Sequence, residues 1–202
     1  MELFLVRHAE PVRVVNSDGP ADPELTSAGN EQAERLAAWL VHDSIDRVMS
    51  SPMLRARETA APLAARLGLE VVIEPRISEY DAHSNEYIPV EELLVTNPDW
   101  KHELAAGQWA EAGGPTPEEF QATVVAGFES IIEQFSGQRV TVVCHGGVIN
   151  VYLAHVLNNA KQMWFYPHYT SISRVHASRS GVRSIGSVNE TAHLHATRES
   201  FD

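Results

Sequence analysis

The chain is poor in cysteine, in basic residues and in long apolar runs, and each shortage excludes a class of protein. Its one cysteine in 202 residues excludes an internal disulfide framework and predicts a reducing, cytoplasmic location. Lys and Arg total 15 against 27 Asp and Glu, a net charge of −12, which disfavours a nucleic-acid or anionic-membrane surface. No apolar run approaches the roughly 20 residues of a membrane-spanning helix. The amino terminus also lacks the pattern of a secretory signal.

What the chain does contain is the alternation of an α/β domain, and we expect one domain over residues 1–202. Short apolar runs are typical of buried parallel strands, and striped segments between them are typical of amphipathic helices. Predicted helices begin after the N-caps Thr26, Ser51 and Thr116, and a fourth begins at Val148. The order predicts a three-layer αβα sandwich whose sheet is mostly parallel with an antiparallel edge. The predicted strands are 3–6, 46–50, 71–73, 139–144, 171–177 and 182–188.

Residues 76–115 interrupt this regular pattern. Prolines and a glycine pair break the segment into pieces that are too short to form a core. A poorly periodic stretch of this length inside a compact domain is usually functional. We therefore predict a small, partly helical lid, with its best helical turn at Glu91–Val95, whereas the polar tail from Asn189 onward is expected to fray or to wrap the surface.

Two predicted strands end on histidines, His8 and His145. In addition, the basic residue Arg55 falls in the first turn of a predicted helix. Ligands of open α/β sheets bind outside the carboxyl ends of the strands. Arg7, immediately before His8, and Arg55 offer the planar fork that suits phosphate. Each group alone could simply cap a strand or a helix, but together they indicate a phosphoryl site. An imidazole there is a competent nucleophile at neutral pH.

Three segments carrying these residues resemble the signatures of the histidine phosphatase superfamily, in its phosphoglycerate-mutase-like branch. They are Arg7-His8-Ala9-Glu10, the Ser-Ser-Pro-x-x-Arg-Ala-x-Glu-Thr-Ala segment from Ser50, and Cys144-His145-Gly146-Gly147. The resemblance spans essentially the whole chain, with the lid as its divergent part.

The resemblance implies a two-step phosphoryl transfer without metal or other cofactor. His8 would become a phosphohistidine that water then hydrolyses, while Arg7, Arg55 and His145 hold the phosphoryl oxygens. Glu79 is the acid most similar to the family's proton donor, and Asp81 is the substitute candidate. One departure concerns phosphate binding, because Val14 stands where the family often has an asparagine.

The charge of the predicted lid favours hydrolysis over the mutase reaction. Between residues 76 and 115 the basic side chains are Arg76 and Lys101, beside eight carboxylates, and such a lid repels a second anionic group. We therefore expect the partner to be a small-molecule phosphomonoester. The alternatives are a phosphoglycerate mutase-type transfer and a phosphate-binding scaffold without turnover. The closing hairpin leaves a strand edge at which a homodimer could form.

Overall fold

The fold comes from a computed structural model, in which residues 1–97, 99 and 114–195 are described. Six strands and five α-helices alternate along the described chain, with short 3-10 turns between some of them. The strands are β1 (Glu2–Arg7), β2 (Arg47–Ser50), β3 (Val71–Ile73), β4 (Arg139–Cys144), β5 (Ile172–Ala177) and β6 (Arg183–Glu190). The helices are α1 (Ser27–Leu40), α2 (Leu54–Leu67), α3 (Val90–Thr96), α4 (Pro117–Gln134) and α5 (Gly146–Leu157).

The strands form one sheet in the order β3-β2-β4-β1-β5-β6. The first four are parallel, and β5 and β6 add the antiparallel edge. Side chains alternate across β1: Leu3 and Leu5 pack with α4 and α5, whereas Phe4 and Val6 pack with α1 and α2. Because each face of the sheet buries a separate apolar cluster under a helix pair, the predicted three-layer sandwich is confirmed. Homodimerisation through the free edge at β6 stays a prediction.

Helix α2 begins two residues later than the sequence predicted. The expected N-cap was Ser51 with Pro52 as the first helical residue, but the helix starts at Leu54 and its N-cap, Met53, makes no side-chain capping bond. The physical reason is that the Ser51 hydroxyl is bonded to the His145 ring, at 2.8 Å from Nε2. The prediction of Ser51 as a helix cap was therefore wrong, although Arg55 does lie in the first turn.

Two other boundaries also differ from prediction. Helix α5 begins at Gly146, two residues earlier than Val148, so that His145 is its N-cap residue. At the carboxyl end, β6 runs on to Glu190, and the following His193 is 2% exposed. Its ring is bonded to the Thr170 hydroxyl at 3.0 Å, so the described part of the tail is anchored to the core rather than frayed.

The described part of the predicted lid contains α3, which confirms the helical turn expected at Glu91–Val95. An isolated bridge ties this region to the loop after β1, through Val14 and Tyr87. The two tryptophans of the lid, Trp100 and Trp109, lie outside the described residues. None of the helices within the described ranges has the length and apolar character needed to cross a bilayer.

Candidate active site

The pairing of β1 with β4 sets the distance between the two predicted histidines. Arg7 lies opposite Cys144 in this parallel pair, and the His8 amide donates to the Cys144 carbonyl at 2.9 Å. His8 and His145 therefore follow adjacent strand ends, and their ring centroids are 5.2 Å apart. The separation is close to the roughly 4.8 Å between neighbouring strands. The sheet thus brings together two imidazoles that are far apart in sequence.

His8 has one ring nitrogen committed and the other available. Its Nδ1 lies 2.8 Å from the carbonyl oxygen of Ala9, and because a carbonyl only accepts, Nδ1 carries the hydrogen. Burial, and then the charges of Arg55 and Arg7, lower the pKa of His8 well below its usual value. The ring is therefore neutral at pH 7, and its Nε2 lone pair is free for nucleophilic attack.

Arg55 is a fully buried cation with unused hydrogen-bonding capacity. Its side chain is 1% exposed and lies over the Tyr87 ring, 4.7 Å from the centroid. Nη2 forms an ion pair with Asp81 at 3.6 Å, but Nε and Nη1 have no hydrogen-bond partner among the described residues. Buried, unpartnered donors are costly, so a bound oxyanion would supply the hydrogen-bond acceptors that the described residues do not provide.

Arg7 is held from several sides. Its Nη1 donates to the Tyr166 hydroxyl at 2.8 Å and to the Pro167 carbonyl at 2.7 Å, and it lies 3.2 Å from the Glu91 carboxylate of α3. The guanidinium also stacks over Tyr169, 4.0 Å from the ring centroid. These contacts fix the guanidinium plane. Arg7 Nε lies 3.8 Å from where a Cβ on Gly146 would stand, so it is next to the start of α5.

Glu79 is placed by the amino-terminal turn of α5. The Gly147 amide donates to its Oε2 at 2.8 Å, and the Tyr80 amide donates to Oε1 at 3.1 Å. Burial raises the pKa of Glu79 to about 7, and the nearby Asp81 carboxylate adds to that increase. A carboxyl group that is half-protonated near neutral pH suits both donation and acceptance of a proton.

The amino-terminal end of α5 faces the site. Its Gly147 amide is bonded to the Glu79 carboxylate. The reason is that a carboxylate, like a phosphate, is stabilised at the positive end of a helix. The described helix end therefore positions the predicted proton donor.

Several residues near the site were not among those predicted to form it. Glu91, Tyr166 and Tyr169 contact Arg7, and Ser51 contacts His145. Val14, the departure from the family pattern, forms backbone bonds with Tyr87 at 3.0 and 2.8 Å. That bridge brings the Tyr87 ring beside His8, at 6.4 Å between centroids. Tyrosine rings thus border the site where the family often has an asparagine.

The arrangement combines a neutral imidazole, two buried guanidiniums and a carboxyl group of raised pKa. Such a set fits a tetrahedral oxyanion, because hydrogen bonds to charged groups contribute roughly 1.5–3 kcal/mol each. The model of the histidine phosphatase superfamily (branch 1) matches residues 3–191. The chain belongs to this superfamily.

Relatives and solved structures of this superfamily match nearly the full length of the chain. A Yersinia enterocolitica protein named probable phosphoglycerate mutase GpmB is 29% identical over 213 residues, covering 96% of this chain and 95% of that protein. A mutant phosphoserine phosphatase from Entamoeba histolytica, solved with phosphoserine, has a TM-score of 0.74 at 23% identity, covering 96% and 98%. A mycobacterial glucosyl-3-phosphoglycerate phosphatase with VO3 has a TM-score of 0.78 at 20% identity, covering 94% and 99%. These similarities show the fold, and the structural neighbours are phosphatases.

Proposed function

We propose that the protein hydrolyses small phosphomonoesters through a phosphohistidine on His8. The observation that carries the proposal is the fixed tautomer of His8, which leaves Nε2 unprotonated beside the buried, partly unpartnered Arg55. A nucleophile and an oxyanion receptor at one sheet edge favour phosphoryl transfer over binding alone.

In the first step, His8 Nε2 attacks phosphorus and the bond between phosphorus and the ester oxygen breaks. The bonding electrons go to the leaving oxygen, which takes the proton of Glu79 and departs as an alcohol. Arg7, Arg55 and His145 would hold the three remaining phosphoryl oxygens, because charge builds on them in the transition state.

In the second step, water attacks the phosphohistidine. The Glu79 carboxylate accepts a proton from that water, the bond between phosphorus and nitrogen breaks, and His8 regains its lone pair. The products are inorganic phosphate and the starting enzyme. The pKa of about 7 supports both roles, since a useful fraction of each protonation state is present at neutral pH.

Asp81 is the weaker candidate for proton transfer. It faces Arg55 at 3.6 Å, whereas Glu79 is oriented by two backbone amides at the helix end. We therefore assign proton transfer to Glu79 and assign to Asp81 the neutralisation of Arg55.

The charge around the site favours substrates whose remainder is not strongly anionic. The Glu91 carboxylate lies within 3.2 Å of Arg7, and it would repel a second acidic group on the substrate. A substrate such as 3-phosphoglycerate carries a carboxylate as well as the phosphate. This contact therefore supports hydrolysis of less anionic esters over a mutase reaction.

The mutase reaction is the second candidate, because the Yersinia relative carries that name. Incubation with 3-phosphoglycerate separates the two: release of phosphate supports hydrolysis, and formation of the 2-phospho isomer supports the mutase.

The central test measures p-nitrophenol release from its phosphate ester between pH 5 and 8, with His8→Ala as the control. We expect activity in the wild type, its loss in His8→Ala, and an acid-labile phosphoprotein in a rapid quench of the wild type alone. Equal inactivity of both proteins, with phosphate still binding to the wild type, would instead support a phosphate-binding scaffold. A screen of phosphorylated metabolites then identifies the substrate.

A further inference from the structure

The Ser51 hydroxyl lies against the second histidine of the site. Ser51 directly follows β2, and its amide bonds to the Val143 carbonyl at 2.9 Å, which brings it beside the end of β4. Its Oγ is 2.8 Å from Nε2 of His145. Both residues are 0% exposed, so water does not compete for this contact.

The other hydrogen-bond partner of Ser51 Oγ indicates which group donates in its bond with His145. The Met53 amide donates to Ser51 Oγ at 3.3 Å, so the oxygen already accepts one hydrogen. The hydroxyl hydrogen needs an acceptor of its own, and among the described residues the one acceptor bonded to Ser51 Oγ is Nε2 of His145. If Ser51 donates, Nε2 is the unprotonated nitrogen, and the single hydrogen of the neutral ring is on Nδ1.

The choice of nitrogen matters because the ring carries one hydrogen. Burial, followed by the charges of Arg55 and of the other site groups, lowers the pKa of His145 well below its usual value. Nδ1 is buried and has no hydrogen-bond partner within the described residues, so it is the nitrogen left to meet a ligand. Carrying the hydrogen, it donates to a phosphoryl oxygen; without it, a lone pair would face that oxygen and repel it.

We propose that Ser51 is a positioning residue that fixes His145 in the Nδ1-protonated tautomer, so that the ring acts as a hydrogen-bond donor to the phosphoryl group. The phosphoryl ligand rests on the proposed function, whereas the tautomer is a property of the free protein. The two can therefore fail separately.

The chain offers a matched control in the preceding residue. Ser50 is equally buried, but its hydroxyl donates to the backbone carbonyl of Ser51 at 2.8 Å. Ser51→Ala and Ser50→Ala thus remove the same atom from neighbouring buried positions, and only the first removes the contact with His145. Thermal unfolding of both variants measures the structural cost that they share.

The test reads the tautomer directly by nitrogen-15 NMR of the imidazole rings in the ligand-free protein, with His145→Gln used to assign the signals. We expect hydrogen on Nδ1 in the wild type and in Ser50→Ala, and a change to Nε2 or to a mixture in Ser51→Ala. With p-nitrophenyl phosphate, kcat of Ser51→Ala should fall about 10- to 100-fold below that of Ser50→Ala, the effect of one hydrogen bond to a charged group.

Hydrogen on Nε2 in the wild-type spectrum would overturn the proposal, and this result needs no variant to fold. An unchanged tautomer in Ser51→Ala would also overturn it, as would equal kcat in the two variants when the wild type is an active phosphatase. A wild type that has the Nδ1-protonated ring but no phosphatase activity would support the tautomer assignment and refute the proposed function.

Discussion

Gly147→Ala should displace the Glu79 carboxylate and largely preserve the stability of the fold, so it tests how much activity depends on the position of Glu79. A Cβ atom on Gly147 would lie 2.4 Å from Glu79 Oε1 and 3.1 Å from its Cδ. Ordinary contacts begin near 3.4 Å, so the carboxylate must retreat by roughly 1 Å, a misplacement that can cost about 10²-fold in rate. At Gly146, one residue earlier in the same helix, the nearest atom to such a Cβ is 3.8 Å away.

The predicted result is a fall in kcat of about 10²-fold for Gly147→Ala, within the roughly 10²–10⁴-fold range of a general acid and base. Stability should change modestly. The closest atom is at the end of the flexible Glu79 side chain, the Tyr80 ring at 3.1 Å must give by only a few tenths of an ångström, and alanine favours a helix over glycine by about 0.5–1 kcal/mol. Gly146→Ala shares the helix gain without displacing Glu79, so it should keep a much larger share of the activity.

The assay is hydrolysis of p-nitrophenyl phosphate by the wild type and both alanine variants, together with their thermal midpoints. The argument would be refuted if Gly147→Ala were as active as Gly146→Ala. It would also be refuted if the loss of rate came with an equal loss of folded protein, because the effect would then be structural rather than local to Glu79.

Three further predictions follow from charges at other positions. Asp81→Asn removes a carboxylate that raises the pKa of Glu79, so the alkaline limb of the kcat/KM profile should move to lower pH; a limb that stays in place would contradict this. Arg7 and Arg55, the two buried arginines, repel a divalent cation, so we expect full activity after dialysis against EDTA. A loss of activity that added metal restores would exclude the metal-free reaction. Burial lowers the pKa of His193 from 6.5 to about 4, so below pH 6.5 the unfolded chain binds a proton that the folded protein does not. The free energy of unfolding by urea should then fall by about 2 kcal/mol from this residue between pH 7 and 5. His193→Gln should lose this contribution and keep the fall that His8 and His145 cause.

The parts of the fold that depend on local pattern were predictable from the sequence. Continuous β-branched and aliphatic runs predicted the strands. The N-cap Thr116 predicted the start of α4, where the Thr116 hydroxyl accepts from the Glu119 amide and the Glu119 carboxylate accepts from the Thr116 amide. The ends of β1 and β4 met because parallel strands share one carboxyl edge. The strand ends thus predicted that His8 and His145 share one edge of the sheet, whereas the pairing of β1 with β4 that makes them neighbours is a tertiary feature.

The sequence could not identify partners that only tertiary structure brings together. Ser51 has the chemistry of a helix cap, and nothing local distinguishes that role from a bond to a ring 94 positions away. Tyr166 and Tyr169 lie in an aperiodic loop, so no stripe or strand end marked them. Glu91 was placed on a helix correctly, but its contact with Arg7 depends on where the tertiary structure places α3 relative to the end of β1.

The position of the two histidines on adjacent central strands also bears on how such a protein diversifies. Their spacing is set by the hydrogen-bond ladder of the sheet interior, which tolerates little variation, whereas Glu91 and Tyr87 come from the segment between β3 and α4. Insertions or replacements in that segment would reshape what lies next to the phosphate without moving the imidazoles. The proposed proton donor Glu79 and its neighbour Asp81 stand at the start of that segment, so an exchange between relatives that begins after Asp81 would change the surroundings of the phosphate and keep the proposed catalytic groups.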